Sequence, residues 1–182
     1  MQRNMMSWPL VIICALAFAA GCTTAPKTEE GKENIEDNAA KSVAKAEKED
    51  PGLTNLLNSS VAYAVFPKVA KGGAGVGGAY GKGVLYENGQ PVGYCDMTQA
   101  TVGAQLGGQD YCEIVIFKTP EALQKFKKGN VKFDAQISAV ALKAGSSQNA
   151  KFTDGVAVFT FDEKGLMAEA AVGGQKFSYQ PK

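Results

Sequence analysis

A glycine-rich run at residues 71–83 could, by its spacing, bind a phosphate. Residues 73–78 form a Gly-x-Gly-x-x-Gly string, the spacing that holds a pyrophosphate at a helix N-terminus in dinucleotide-binding proteins. The run continues through Gly81 and Gly83, and each glycine costs about 1 kcal/mol relative to alanine in a helix. A P-loop would need Ser or Thr directly after Lys82, where Gly83 stands. We therefore interpret the run as strands with close backbone packing and expect no nucleotide.

Cys22 is a candidate site of lipid attachment. Residues 1–21 carry Arg3 and then an uncharged apolar stretch over residues 9–20, too short to span a bilayer comfortably. The sequence Ala-Ala-Gly directly before Cys22 resembles the lipobox of bacterial lipoproteins, whose cysteine becomes diacylglycerol-modified and N-acylated, for instance with palmitate. Thr23, rather than Asp, favours by resemblance an outer-membrane lipoprotein facing the periplasm. The alternative is ordinary secretory cleavage.

Two cysteines, Cys95 and Cys112, remain for other chemistry once the signal sequence is removed and Cys22 is acylated. In an oxidising periplasm such a pair is more often bridged than free. Both lie in predicted strands that could be neighbours, and a loop of this length would be stabilised by roughly 3 kcal/mol. A redox or metal role would need a Cys-x-x-Cys spacing or further ligands. We therefore predict a disulfide and no metal site.

The chain has no histidine among its 182 residues. This removes the usual general base, the usual zinc ligand and the usual partner of a serine or cysteine nucleophile. No carboxylate pair with an evident catalytic spacing compensates for the loss. The net charge is only +1 and Arg3 is the single arginine, so no basic stripe for nucleic acid is present. We expect a non-enzymatic protein with no catalytic residues, no cofactor and no nucleic-acid partner.

Composition divides the chain into a signal sequence (1–21), a flexible tether (22–36) and one domain (37–182). The tether is rich in Lys, Glu and Asn and cannot bury enough apolar surface to order itself. A helix is predicted over residues 35–49, with Ala39, Val43 and Ala46 on one face. A short helix should follow Pro51, and Thr119 followed by proline predicts the start of another that ends near Gly129.

Strands should fill most of the domain. Residues 61–66 form an apolar run closed by proline, and Asn88-Gly89 predicts a hairpin between residues 83–86 and 92–97. A second hairpin is expected between residues 101–106 and 111–117, and final strands at 131–142, 156–161 and 166–171. The fold class is α+β, with a mostly antiparallel sheet or partly closed barrel and a few short helices.

The order of these signals resembles the SYLF domain, a lipid-binding family of bacterial envelope proteins and of eukaryotic proteins acting at membranes and actin. The match covers residues 39–179, although Gly93-Tyr94-Cys95 stands where many members have Trp-Ser. The matching stretches are residues 64–67, 71–85, 103–108, 113–117, 159–166 and 173–174.

The resemblance implies an envelope lipoprotein whose domain binds phospholipid, with lysines meeting the head-group phosphates. It carries over neither the identity of the lipid nor actin binding. The alternative is a lipid-anchored module that binds envelope proteins and has no lipid site, and each lysine could also serve only solubility. The candidate head-group ligands are Lys68, Lys71, Lys82, Lys125, Lys127 and Lys128.

Overall fold

The computed structural model describes residues 24–129, 131–132, 139–161 and 174–182. The signal sequence, Cys22 and the strand predicted at 166–171 lie outside the described residues, as do residues 133–138 of the strand predicted at 131–142. The elements confirm the α+β class, and the mostly antiparallel sheet is not closed. The helices are α1 (Glu29–Glu49), α2 (Gly52–Asn58) and α3 (Pro120–Lys127), and the strands are β1 (Ala62–Glu87), β2 (Gln90–Phe117), β3 (Val131–Lys132), β4 (Ala139–Ala141), β5 (Val156–Phe161) and β6 (Lys176–Pro181).

The first two strands form one long antiparallel hairpin. Its register runs from Glu87 opposite Gln90 at the turn to the base of β1 opposite the end of β2. Asn88 and Gly89 have φ angles of 50° and 74°, the positive values that a type I′ turn requires at both central residues. The hairpin predicted at Asn88-Gly89 is therefore confirmed.

The second predicted hairpin is wrong. Gly107 and Gly108 are not a turn but interior residues of β2, where they lie opposite Gly73 and Gly72 of β1. Glycine pairs inside a strand and glycine pairs in a turn look alike in the sequence, because both positions lack side chains. Pro67 likewise does not end its strand, since it occupies an irregularity in the β1–β2 register that lets a proline sit within a sheet.

The remaining strands pair with the two ends of β2. Strand β5 is antiparallel to the end of β2 near Phe117, and β6 is antiparallel to the part near Gly93. Strand β3 extends the sheet beyond β6, and β4 beyond β5 as a parallel neighbour. The strand predicted at 156–161 is confirmed, whereas β6 was not predicted.

The hairpin curls so that the two ends of β1 contact each other. A methyl group at Gly83 would lie 2.6 Å from the carbonyl oxygen of Val65 and 2.7 Å from the Phe66 ring. At Gly81 it would lie 3.2 Å from the carbonyl oxygen of Lys68. Only glycine fits where the backbone approaches itself this closely, so the close-packing interpretation is confirmed at Gly81 and Gly83.

Helices cover both faces of the hairpin, and each face has its own core. Helices α1 and α2 pack on one face, the α1 face, where Val65 and Ile114 are fully buried. Helix α3 packs on the opposite face, the α3 face, whose core contains four phenylalanine rings. Their centroids are 4.8–5.7 Å apart along the series Phe117, Phe126, Phe177 and Phe66.

Helix α1 begins six residues earlier than the sequence predicts, within the segment assigned to the tether. Thr28 caps it by accepting a 3.1 Å hydrogen bond from the Gly31 N–H, and Lys32 pairs with Glu29 at 2.6 Å. These local contacts stabilise a first turn that composition alone does not favour. Ala39 and Ala46 are fully buried, as the predicted face requires.

The cap predicted for α3 is confirmed. Thr119 is its N-cap, accepting a 3.2 Å hydrogen bond from the Ala122 N–H, and Pro120 occupies the first helical position. The helix buries Ala122, Leu123 and Phe126 against the sheet.

Candidate functional site

The predicted disulfide between Cys95 and Cys112 is wrong. Both residues are buried thiols on the same strand, β2, rather than on two neighbouring strands. Cys95 belongs to the core of the α3 face, while Cys112 alternates with Tyr111 and so points to the other face. Burial, followed by the nearby Asp96 carboxylate, raises the pKa of the Cys95 thiol well above its usual value. A thiol with a raised pKa is rarely ionised at neutral pH and is therefore a poor nucleophile. The role of Cys95 is to pack in the core of the α3 face.

The six candidate lysines do not form one cluster. Lys125 and Lys128 are exposed on the outer side of α3. Lys127 forms an ion pair with Glu87 beside the hairpin turn, and its ammonium lies 5.8 Å from the centre of the Tyr179 ring. Lys71 lies on β1 two residues after Val69, which places it on the α3 face.

The structure brings the other two lysines, Lys68 and Lys82, to a single groove on the α1 face. The groove has a volume of about 350 Å³ and runs between α1 and β1. Lys68 is 70% exposed and pairs at 2.8 Å with Asp110, itself 54% exposed. The groove is lined from α1 by Asn34, Ile35 and Asn38, and from β1 by Pro67, Lys68 and Lys82.

Residues 24 and 25, which we call the N-terminal strap, are fixed beside this groove. Thr24 Oγ1 donates to Ser178 Oγ at 3.2 Å, and the Ala25 N–H donates to Gln180 Oε1 at 3.2 Å. Lys82 Nζ donates to the Thr24 carbonyl oxygen at 3.3 Å. The segment predicted to be a flexible tether is therefore attached to both β1 and β6 near its start.

Asp96 links the N-terminal strap to the rim of the groove. Its carboxylate lies 3.7 Å from the Lys82 ammonium and accepts a hydrogen bond of 3.4 Å from the Tyr80 hydroxyl. Burial raises the pKa of Asp96, an effect that the Lys82 charge and the hydroxyls of Thr24 and Tyr80 partly oppose. Tyr80 itself is 43% exposed, one of two large hydrophobic side chains exposed to this extent among the described residues. An exposed tyrosine thus lies close to Lys82, which is one of the two lysines that line the groove.

A buried carboxyl group that the sequence did not single out lies on the α3 face. Glu113 and Gln175 are both fully buried, and Gln175 Nε2 donates to Glu113 Oε2 at 2.9 Å. Burial raises the pKa of Glu113 to about 7, although the Gln175 hydrogen bond opposes this shift. Among the described residues, neither Glu113 Oε1 nor Gln175 Oε1 has a hydrogen-bond partner. A proton on Glu113 would supply the donor that these two oxygens lack.

Within the described ranges, no three Cys, Asp or Glu side chains are close enough together to hold a metal ion. No helix in those ranges is both long and apolar enough to cross a bilayer. The polar side chains that line the groove are Lys68 and Lys82 with Asn34 and Asn38, and their ammonium and amide N–H groups suit phosphate oxygens.

Two comparisons with known proteins bear on the identity of the chain. The family model described as Ysc84, Las17-binding protein actin regulator, matches residues 98–181. A curated relative, Beta cell expansion factor A of Aeromonas veronii, is 26% identical over 160 residues. That alignment covers 84% of this chain but only 59% of the relative, so the chain spans less than two thirds of its length. The matched residues, a little under half of the chain, include most of β2 with α3 and the strands that follow, so this part of the chain is similar to the Ysc84 family.

Proposed function

We propose that this protein is a non-enzymatic envelope lipoprotein whose SYLF domain binds phospholipid head groups through the groove on the α1 face. The observation that carries the proposal is the groove itself, because it places Lys68 and Lys82 at one open rim. The protein is anchored through acylated Cys22 in the outer membrane and faces the periplasm. The absence of histidine from the sequence supports a binding rather than a catalytic role.

Lys68 is the residue best placed to bind a phosphate. Its ion pair with Asp110 is largely exposed, and exposed pairs contribute only about 0–1 kcal/mol to stability. Exchanging that partner for a lipid phosphate therefore costs little. A lysine close to an anionic membrane contributes about 1 kcal/mol, and salt weakens this attraction. Lys82 already contacts the Asp96 carboxylate and donates to the carbonyl oxygen of Thr24 in the N-terminal strap. Its ammonium group is therefore less available to a lipid phosphate than that of Lys68.

Vesicle flotation of the protein with Cys22→Ser and without its signal sequence tests the proposal. We expect binding to vesicles of phosphatidylglycerol and phosphatidylethanolamine that weakens as salt rises. Lys68→Ala should reduce the apparent affinity about fivefold, the equivalent of about 1 kcal/mol. Lys125→Ala, which removes an exposed lysine from α3, is the matched control and should change the affinity by less than twofold.

The two ways in which this experiment can fail are distinct. No flotation with anionic vesicles at low salt would contradict lipid binding by the domain. Equal losses for Lys68→Ala and Lys125→Ala would contradict the groove as the site while leaving lipid binding intact.

A protein-interaction module is the second candidate function. Strand β4 stands at one end of the strand order, and its Val140 is 40% exposed. The matching family is itself described as Las17-binding, which is a protein-binding activity. A partner crosslinked in the envelope whose capture survives Lys68→Glu but is lost on Val140→Glu would favour this function.

A further inference from the structure

The N-terminal strap is attached to two strands of the sheet rather than hanging from it. Three of its hydrogen bonds reach Lys82 on β1 and both Ser178 and Gln180 on β6, at 3.2–3.3 Å. Ala25 is buried to 8% exposure in the core of the α1 face. The strap is thus held by packing as well as by polar contacts.

This attachment limits how far Cys22 can lie from the domain. Two residues of fully extended chain span at most about 7 Å, so a lipid on Cys22 would be joined to Thr24 through no more than that length of backbone. A flexible tether of about 15 residues would instead have a root-mean-square length of about 20 Å. A lipid on Cys22 would therefore enter the bilayer directly beside the groove.

We infer that the lipid on Cys22 and the N-terminal strap together hold the domain in one orientation, with the α1-face groove against the phospholipid surface and α3 turned away. This rests on the proposed function, since it requires Cys22 to be acylated. Lysines are exposed on both faces, at Lys68 and at Lys125 with Lys128, so charge alone does not select a face. The N-terminal strap selects the α1 face, because it lies on that face.

Tyr80 strengthens the assignment of this surface. Its hydroxyl is bonded to Asp96, which also contacts Lys82 and Thr24, so the exposed ring stands next to the strap. Tyrosine side chains with one apolar and one polar end favour the head-group region of a bilayer. The oriented domain therefore places Tyr80 and Lys68 at head-group depth together.

Tryptophan quenching in vesicles that contain brominated phospholipid tests the orientation. The only tryptophan, Trp8, lies in the predicted signal sequence, so the acylated protein offers a dark background. Tyr80→Trp places a probe beside the strap, and Gln124→Trp places its matched control on the exposed side of α3. We expect brominated lipid to quench the Tyr80→Trp variant at least twofold more strongly. Equal quenching, or stronger quenching of Gln124→Trp, would overturn the inference.

A second variant tests whether the strap sets the orientation. Inserting 15 Gly and Ser residues between Thr23 and Thr24 lengthens the connection to the lipid without touching the groove. We expect the acylated protein to remain on the vesicles and the difference in quenching to shrink towards that of Gln124→Trp. An undiminished difference would overturn the role of the strap.

Failure of the proposed function gives a different pattern from failure of this inference. If the acylated protein binds vesicles and is quenched equally at both positions, only the orientation is wrong. If the Cys22→Ser protein does not float and the natural protein carries no acyl group, the proposed function is wrong and the inference falls with it.

Discussion

Glu113 shows how one buried residue can make stability depend on pH. Its pKa is about 7 in the folded protein, against 4.5 for an ordinary glutamate, because burial disfavours the charged form. The folded state therefore keeps a proton that the unfolded state loses between pH 4.5 and 7. The unfolding free energy should fall as the pH rises through this range, by up to about 3 kcal/mol from this residue.

Glu113→Gln should remove this dependence. The glutamine is neutral at every pH, and its amide can donate to Gln175 Oε1 as the protonated acid would. We expect urea unfolding to show the variant clearly more stable than the natural protein at pH 8 and nearly equal to it at pH 5. The same difference at both pH values would contradict a raised pKa.

Asp50 is a second buried carboxylate, and it stabilises the fold in its charged form. Its two oxygens accept backbone hydrogen bonds from Gly52 at 3.1 Å, Gly145 at 3.3 Å and Ser147 at 2.7 Å. Burial alone would raise the pKa of Asp50, but hydrogen bonding to the N–H and hydroxyl of Ser147, followed by the N–H groups of Gly145 and Gly52, lowers it overall. Its contribution is therefore present at neutral pH and is lost as the pH falls through its lowered pKa.

Asp50→Ala should lower the unfolding free energy at pH 7 by about 2–3 kcal/mol, because it leaves buried N–H groups unpaired. Glu49→Ala, one residue earlier and exposed, is the control and should change it by less than about 0.5 kcal/mol. Guanidinium unfolding measures both. Similar values for the two variants would mean that Asp50 does not hold the 145–147 segment.

At the scale of elements, the close contact of Gly81 and Gly83 with the start of β1 determines whether the hairpin can curl. Gly83→Ala would place a methyl group 2.6 Å from the Val65 carbonyl oxygen, and the backbone must move to admit it. We expect a loss of about 2–3 kcal/mol or more, read as a lower midpoint in thermal unfolding followed by circular dichroism. Gly108→Ala meets nothing closer than 3.7 Å and should cost less than about 1 kcal/mol. Equal losses of stability for the two variants would show that β1 tolerates a side chain at Gly83.

Local chemistry was enough to predict some elements and not others. The Asn88-Gly89 turn and the Thr119 cap depend on neighbouring residues, and both were predicted. The continuity of β2 depends on its partner strand, so Gly107-Gly108 was misread as a turn. That error split β2 in two, and the false disulfide followed from it. Strand β6 did leave a signal, since Phe177 and Tyr179 alternate with polar residues.

The candidate site was less predictable than the fold. Lysines could be counted in the sequence, but only the fold separates Lys68 and Lys82 from the lysines of α3. Asp50 and Glu113 carry no sequence signal of burial, because burial depends on segments as distant as residues 145–147 and 175. The resemblance implies the class of ligand, and the structure adds that Lys68 and Lys82 share one face.

At the scale of the whole molecule, the segment that matches the family model is not a separate unit. The match begins at residue 98, in the middle of β2, whose full length pairs with β1. The core of the α1 face also needs Ala39, Ala46 and Leu53, which lie before the match. Residues 98–181 alone would expose both the β1-facing edge of β2 and the surface that α1 and α2 cover.

The contact between the N-terminal strap and β6 also has a consequence for the order of events during synthesis. Thr24 and Ser178 are 154 residues apart in sequence, so the strap cannot dock until nearly the whole domain has been made. An acyl group added to Cys22 before that moment would be joined to a segment that is not yet attached to the domain. Docking of the N-terminal strap would then fix this segment to the sheet. Folding itself would therefore set the distance between the domain and the lipid.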